Sequence, residues 1–129
     1  MAMQESGEMY LETILILSRK KNYVRSIDVC EEMGYSKPSI SRAVGILRNN
    51  GYLDMDNRGY LTLTEKGREV AEKIYERHQV LSSVLKAIGV SEKTAAEDAC
   101  RIEHIISDET FEIVKKLMSE HPDLHVPVE

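Results

Sequence analysis

Tryptophan is absent from this 129-residue chain, and one Phe and six Tyr supply all of its aromatic character. A core with so few rings has to be aliphatic, which favours helices packed through Leu, Ile and Val. Long apolar runs are also missing. The longest, Ile14-Leu15-Ile16-Leu17, falls far short of the roughly 20 residues that cross a bilayer. The opening residues Met1-Ala2-Met3-Gln4-Glu5 carry neither the basic nor the apolar part of a signal peptide, so a cytoplasmic protein with no membrane partner is expected. Cysteine is scarce. Cys30 and Cys100 make a disulfide possible by count, but a reducing cytoplasm predicts two thiols.

Positive charge is short overall, with a net charge of −5, yet it is unevenly placed. Residues 19–68 hold ten Lys/Arg against six acidic residues, so that block is +4 and the remainder is −9. A basic block inside an acidic protein fits one lobe that faces phosphate and a second lobe with another task. The 42% hydrophobic content is enough for a core. The length allows one compact unit or two small lobes sharing a long helix.

The most unusual stretch is Cys100-Arg101-Ile102-Glu103-His104, in a helix predicted to open at Ser91. On a 3.6-residue period, positions 100, 103 and 104 share one face, so a thiol, a carboxylate and an imidazole point the same way. Such groups are costly to bury unpaired and useful to bury around a cation.

The preceding chain reads as a DNA-binding lobe. A first helix is expected over about 7–18, with Met9, Tyr10, Thr13, Ile14 and Leu17 in helical register. Ser26 is the expected N-cap of a second helix through Ile27, Val29, Cys30 and Met33, and Gly34-Tyr35 turns the chain. Ser36 caps a third helix with Pro38 in its first turn, which runs through Ile40, Val44 and Leu47 to Asn50-Gly51. Two short helices joined by a tight Gly turn make a helix-turn-helix. Then Tyr52-Leu53-Asp54-Met55 and Tyr60-Leu61-Thr62-Leu63 alternate in strand period around Asp56-Asn57-Arg58-Gly59, a hairpin that forms a wing. The candidate DNA-binding residues are Arg25, Ser36, Lys37, Pro38, Ser39, Ser41, Arg42, Arg48 and, at the wing tip, Arg58. Small hydroxyls and Pro38 permit close approach to base edges, and Arg42 is long enough for a base or a phosphate.

Thr64 caps a long helix expected to run near Ile88 and stop at Gly89, with Val70, Ile74, Val80, Leu81, Val84 and Leu85 as its stripe. His78 lies within that stripe, and a lone His on an apolar face is more often a hydrogen-bonded core residue than a ligand. Ser107-Asp108 caps a last helix with Phe111, Val114, Leu117 and Met118 inward. His121 and His125 are four apart, but Pro122 breaks the helix that would align them, so both are read as tail residues.

In order along nearly the whole chain, Glu8-Met9-Tyr10-Leu11-Glu12, the winged helix, Arg77-His78 and the C-R-x-E-H-x-x-S-D run from Cys100 to Asp108 resemble the diphtheria-toxin-repressor (DtxR/MntR) family of metal-dependent transcriptional repressors. The resemblance implies a mainly α fold with a small β wing. It places an N-terminal winged helix-turn-helix in residues 1–72 and an α-helical metal-binding and dimerisation domain in 73–129. The chain stops before the third, SH3-like domain of some members would fit, and so is similar to the two-domain type.

Carried over residue by residue, the resemblance implies a metal on Met9, Cys100, Glu103 and His104, with His78 and Glu12 at positions that bind metal in one branch or another. Met9 and Cys100 match the iron-responsive branch, and Glu12 matches the manganese-responsive one. Ser82 and Ala96 stand at two positions of the iron branch's second site, which leaves a modified site sharing Glu12, His78 and Glu103 as the alternative. A thioether and a thiolate favour Fe(II), Co(II), Ni(II) or Zn(II) over Mn(II). Fe(II) is therefore expected first and Mn(II) second, as co-repressor of metal-homeostasis genes. The implied partners are a palindromic double-stranded operator and a second copy of the chain, with no organic substrate. Rival readings are a winged-helix regulator of a small organic ligand with no metal site, a metallohydrolase and a DNA-packaging protein. An enzyme is not expected: there is no H-E-x-x-H helix, and the wing would be unexplained.

Overall fold

The structure is a computed structural model that describes residues 5–121. Pro122, His125 and the opening Met1 to Gln4 lie outside the described residues. Two compact units divide the chain, Met1–Lys73 and Ile74–Glu129.

The first unit contains α1 (Glu5–Lys20), α2 (Ser26–Met33), α3 (Lys37–Asn49), the strands β1 (Leu53–Met55) and β2 (Leu61–Leu63), and the start of α4 (Glu65–Ala87). Its core is aliphatic, as the lack of rings requires: Leu11, Ile14 and Leu15 of α1, Val29 of α2, Ile40 and Val44 of α3, and Leu53 and Leu61 of the strands are all buried. Leu11, Ile14 and Leu15 are three and four apart and form the stripe of α1. Tyr10, which was expected in that stripe, is half-buried. Ile27 was expected to be apolar core on α2 and is instead 41% exposed.

Local chemistry sets the helix ends. Ser26 is the first residue of α2 and not its cap; Arg25 takes that position with extended backbone. The reason is Asp28, whose Oδ2 accepts the Arg25 backbone N–H at 2.8 Å, while Lys21 Nζ holds Oδ1 at 2.7 Å. Ser36 caps α3 as expected, its hydroxyl accepting from the Ser39 backbone N–H. Between the two helices Gly34, at φ 72°, donates its N–H to the Cys30 carbonyl and closes α2.

In the wing, Leu53 pairs with Leu63 and Met55 with Leu61, so the leucines face inward while Asp54 and Thr62 face out. Asp56 Oδ1 accepts from the backbone N–H groups of Arg58 and Tyr60, both at 2.9 Å, which pins the turn. Both strands are one residue shorter than expected: Tyr60 pairs instead with Arg25 in an isolated antiparallel bridge, and Tyr52 donates its backbone N–H to the Leu47 carbonyl at the end of α3. Thr64 Oγ1 accepts from the Gly67 N–H at 3.1 Å and donates to the Gly51 carbonyl at 2.6 Å, so the α4 cap also ties down the start of the wing.

The second unit holds the rest of α4, then α5 (Glu92–Ile105) and α6 (Asp108–Glu120). Ser91 and Ser107 cap α5 and α6, accepting from Thr94 N and Thr110 N. Ile74, Leu81, Ala95, Ala99, Phe111 and Met118 are buried. Val80, Val84, Leu85 and Val114 are half-buried. Leu117, expected inward, is 48% exposed. No helix among the described residues is long and apolar enough to cross a membrane.

Candidate metal centre and nucleic-acid interface

Ala95, Ala99 and Glu103 are the buried residues of α5, spaced four apart. A stripe of small side chains lets the helix pack closely, and the third member of the stripe is a carboxylate with 0% exposure. Charge is costly to take out of water, so its surroundings decide its role. His78 of α4 brings Nδ1 to 2.8 Å from Glu103 Oε2. His104 Nε2 lies 3.4 Å from the other oxygen, Oε1. Among the described residues, Oε1 has no hydrogen-bond donor.

Arg77 fixes the backbone behind this cluster. Its guanidinium donates to the carbonyls of Glu103 at 3.2 Å and Ile106 at 2.8 Å and to the Asp108 carboxylate, and it lies over the Phe111 ring. One side chain thereby satisfies carbonyls at the end of α5 that would otherwise be orphaned, and links them to the first residue of α6. Sequence reasoning noted Arg77 only as a neighbour of His78. Nothing in residue type marks an arginine that is 6% exposed.

Of the six candidate ligands, the second unit brings His78, Glu103 and His104 together. Cys100 is half-buried on the same helix, three residues before Glu103 and four before His104. Met9, half-buried, and Glu12, buried, sit three apart on α1 in the first unit. Both cysteines are thiols, as expected. Imidazole nitrogen on either side of a buried carboxylate, one of whose oxygens lacks a donor, is a donor set that fits a divalent transition metal. The His78 ring orients Glu103 through this hydrogen bond, as an outer partner does for a metal ligand.

Every candidate DNA-binding residue is exposed: Arg25, Ser36, Lys37, Pro38, Ser39, Ser41, Arg42, Arg48 and Arg58. They are not equally available. Ser36 and Ser39 bond to each other at 2.9 Å while serving the cap, and Arg48 leans on Met55 Sδ at 4.0 Å. Two aromatic residues were missed: Tyr23 and Tyr60 stack with ring centroids 4.5 Å apart. The signal that would have found Tyr60 was its place directly after a Gly-containing turn.

The comparisons agree with this geometry. Residues 2–61 match the N-terminal DNA-binding domain of the iron-dependent repressors, and residues 64–124 match their metal-binding and dimerisation domain. An HTH-type transcriptional regulator of Methanocaldococcus jannaschii is 32% identical over 123 residues, covering 94% of this chain and 98% of that protein. The HTH-type transcriptional regulator MntR of Lysinibacillus sphaericus is 33% identical over 122 residues, covering 92% and 88%. Among solved structures, the manganese regulator SloR superposes with a TM-score of 0.77 at 25% identity over 88% of this chain, which spans about half (53%) of the SloR chain. The chain therefore belongs to the iron-dependent repressor (DtxR/MntR) family, whose members are metal-dependent, DNA-binding, dimerising transcriptional regulators and not enzymes.

Proposed function

We propose that this protein is a cytoplasmic repressor of metal-homeostasis genes, with Fe(II) as its preferred co-repressor and Mn(II) second. The observation that carries the reading is the buried Glu103 carboxylate, met by His78 on one oxygen and close to His104 on the other. Met9, Glu12, His78, Cys100, Glu103 and His104 are the ligands. When bound, a divalent cation supplies the positive charge that lets carboxylates, imidazoles and sulfur share one centre. Sulfur from Met9 and Cys100 supports Fe(II), with Co(II), Ni(II) or Zn(II) able to substitute; the likeness to a manganese regulator supports Mn(II). Ser82 and Ala96 bring no carboxylate or imidazole, so a second ion, where one binds, has to share Glu12, His78 and Glu103.

Residues 1–72 act as the DNA-binding domain and 73–129 as the metal-binding and dimerisation domain, a division supported by the two family matches. Met9 and Glu12 belong to the helix that opens the DNA-binding lobe. The other proposed ligands lie on α4 and α5. In a two-fold dimer the setting of the lobes fixes the separation of the two α3 helices, and half-sites one helical turn apart lie about 34 Å from each other. Lys37, Ser41 and Arg42 of α3 then meet the major groove together with Ser36, Pro38, Ser39 and Arg48, while Arg25 and Arg58 meet the backbone or the minor groove.

An anaerobic titration of operator binding against Fe(II), Mn(II), Co(II) and Zn(II), with metal content measured in parallel, tests this. Fe(II) is expected to act at the lowest concentration. A response to Mn(II) alone would reverse the order of preference, and none to any metal would remove the co-repressor. His104→Ala is expected to lose metal-stimulated operator binding while remaining a folded dimer by circular dichroism and light scattering.

A further inference from the structure

We infer that Tyr23, Arg25 and Tyr60 form a rigid grip on the DNA phosphodiester backbone, separate from α3 and built where the wing meets the start of α2. The inference deepens the DNA-binding reading and rests on it.

The segment before α2 behaves as a third strand of the wing. Val24 is 2% exposed, and its carbonyl accepts the Leu61 N–H at 2.7 Å. One residue on, Arg25 pairs with Tyr60. This register places Tyr23 and Arg25 on the outward side together, each against the Tyr60 ring. The Tyr23 and Tyr60 rings stack at 4.5 Å with 21° between their planes. The Arg25 guanidinium lies over the same ring, 4.8 Å from its centroid, and Nη2 donates to the Tyr60 hydroxyl oxygen at 3.4 Å.

These contacts leave the polar ends pointing outward. Because Tyr60 accepts from Arg25, its own O–H has to donate elsewhere. Among the described residues, the Arg25 side chain makes no other hydrogen bond than the one to Tyr60. The Arg25 charge also acts on Asp28, but the Asp28 oxygens are held by Lys21 and by the Arg25 backbone N–H, not by the guanidinium. What remains is a fork of N–H donors beside a phenolic donor, which suits an acceptor-only anion such as a phosphate oxygen.

Preorganisation separates this group from Lys37 and Arg42, which make no ion pair or hydrogen bond among the described residues. An unrestrained arginine loses rotamer freedom on binding, whereas one already laid on a ring loses less. Tyr23 is 63% exposed, although a stack that served only to hold the wing would gain by being covered. The position also agrees with helix-turn-helix docking, in which the helix before the recognition helix crosses the DNA backbone.

The test is binding of the metal-loaded full chain to its operator and to an unrelated duplex of equal length, across a salt series. Arg25→Gln is expected to weaken both duplexes by a similar factor and to make the log–log salt slope shallower by about 0.9 per lost phosphate contact. Arg25→Lys should keep the slope yet bind less tightly than the native chain, because it lacks the fork. Tyr60→Phe is expected to lose about threefold to tenfold in affinity with an unchanged slope, since a neutral hydroxyl contributes one hydrogen bond and no counterion. Tyr23→Ala should weaken binding and Tyr23→Phe should recover most of it, as expected of a positioning residue. Melting temperatures measured alongside separate these effects from unfolding. A native salt slope in Arg25→Gln, or native affinity in Tyr60→Phe, overturns the grip while leaving α3 as the DNA reader. Binding of the native chain to neither duplex would overturn the DNA reading and this inference together.

Discussion

Two side chains show how much one residue holds in place here. Arg77 closes the end of α5 with hydrogen bonds to the carbonyls of Glu103 and Ile106 and a link to the Asp108 carboxylate. Asp108 is 73% exposed in its side chain, so the ion pair is screened by water and most of the stabilisation comes from the two carbonyls. Arg77→Ala should therefore cost about 1–3 kcal/mol, the range for leaving a buried acceptor unpaired. Urea denaturation checks this, and a loss under about 1 kcal/mol, the worth of a surface pair, would mean that water replaces the guanidinium. Asp28 makes a different prediction. The Lys21 ammonium and the Arg25 N–H hold its carboxyl below the usual carboxylate range. A group whose pKa is lowered on folding stabilises the fold above its unfolded pKa, and that contribution is lost as pH falls through the folded value. As pH falls below about 4, the ordinary Asp value, the native chain should thus lose melting temperature more steeply than Asp28→Asn. At neutral pH the variant should be the less stable of the two. Parallel thermal melts over that range decide it.

Helices and strands follow from their ends more than from their middles. Ser36, Thr64, Ser91 and Ser107 were legible as caps because a hydroxyl before a run of helical period has one job, accepting an orphan N–H. The cap of α2 was not, because Asp28 made Arg25 a better start than the hydroxyl beside it. Burial was harder. Leu11 and Leu15 of α1 were passed over because the apolar residues of that helix are nearly continuous, and a period count then has no preferred face. Leu117 and Ile113 of α6 are 48% and 61% exposed; a periodicity argument does not separate a residue buried within its own chain from one kept for a second copy. In the candidate site, spacing placed Cys100, Glu103 and His104 on one face. The approach of His78 to Glu103, 25 residues away in sequence, depends on how α4 and α5 pack and left no local trace. Two helical glycines make an element-level prediction. A Cβ at Gly67 would overlap the Tyr52 carbonyl, which is backbone and has little room to move. A Cβ at Gly45 would meet nothing within 4 Å. Gly67→Ala should destabilise by about 1–3 kcal/mol through overpacking. Gly45→Ala, free to gain helix propensity, should stabilise by up to about 1 kcal/mol. Equal effects of the two substitutions in chemical denaturation would show that the first turn of α4 is not held against the wing.

At the scale of the whole molecule, a chain of net charge −5 binds a polyanion because its basic residues are gathered in one segment and its acidic excess lies elsewhere. The same partition keeps the two ligands apart. The proposed metal donors lie on α1, α4 and α5, while the exposed cations proposed to face DNA lie at the α2 cap, on α3 and on the wing. Two ligands that touch different residues affect one another only through the states of the dimer that each favours, so the effect has to be reciprocal. If bound metal raises operator affinity by some factor, operator must raise metal affinity by the same factor, typically about 5-fold to 150-fold for such couplings. Calorimetric titration of metal into the dimer, with and without operator, measures one side of that equality, and fluorescence anisotropy of operator with and without metal measures the other. Arg42→Ala is expected to lower operator affinity in the presence and in the absence of metal by a similar factor, leaving both the ratio and the affinity for metal in DNA-free protein unchanged. On the proposed reading its side chain meets DNA and no metal donor, which puts it outside the coupled equilibrium. A weaker metal affinity in that variant without DNA would place α3 inside the coupling. A mismatch between the two ratios in the native protein would mean that the metal acts on assembly of the dimer and not on its choice of state.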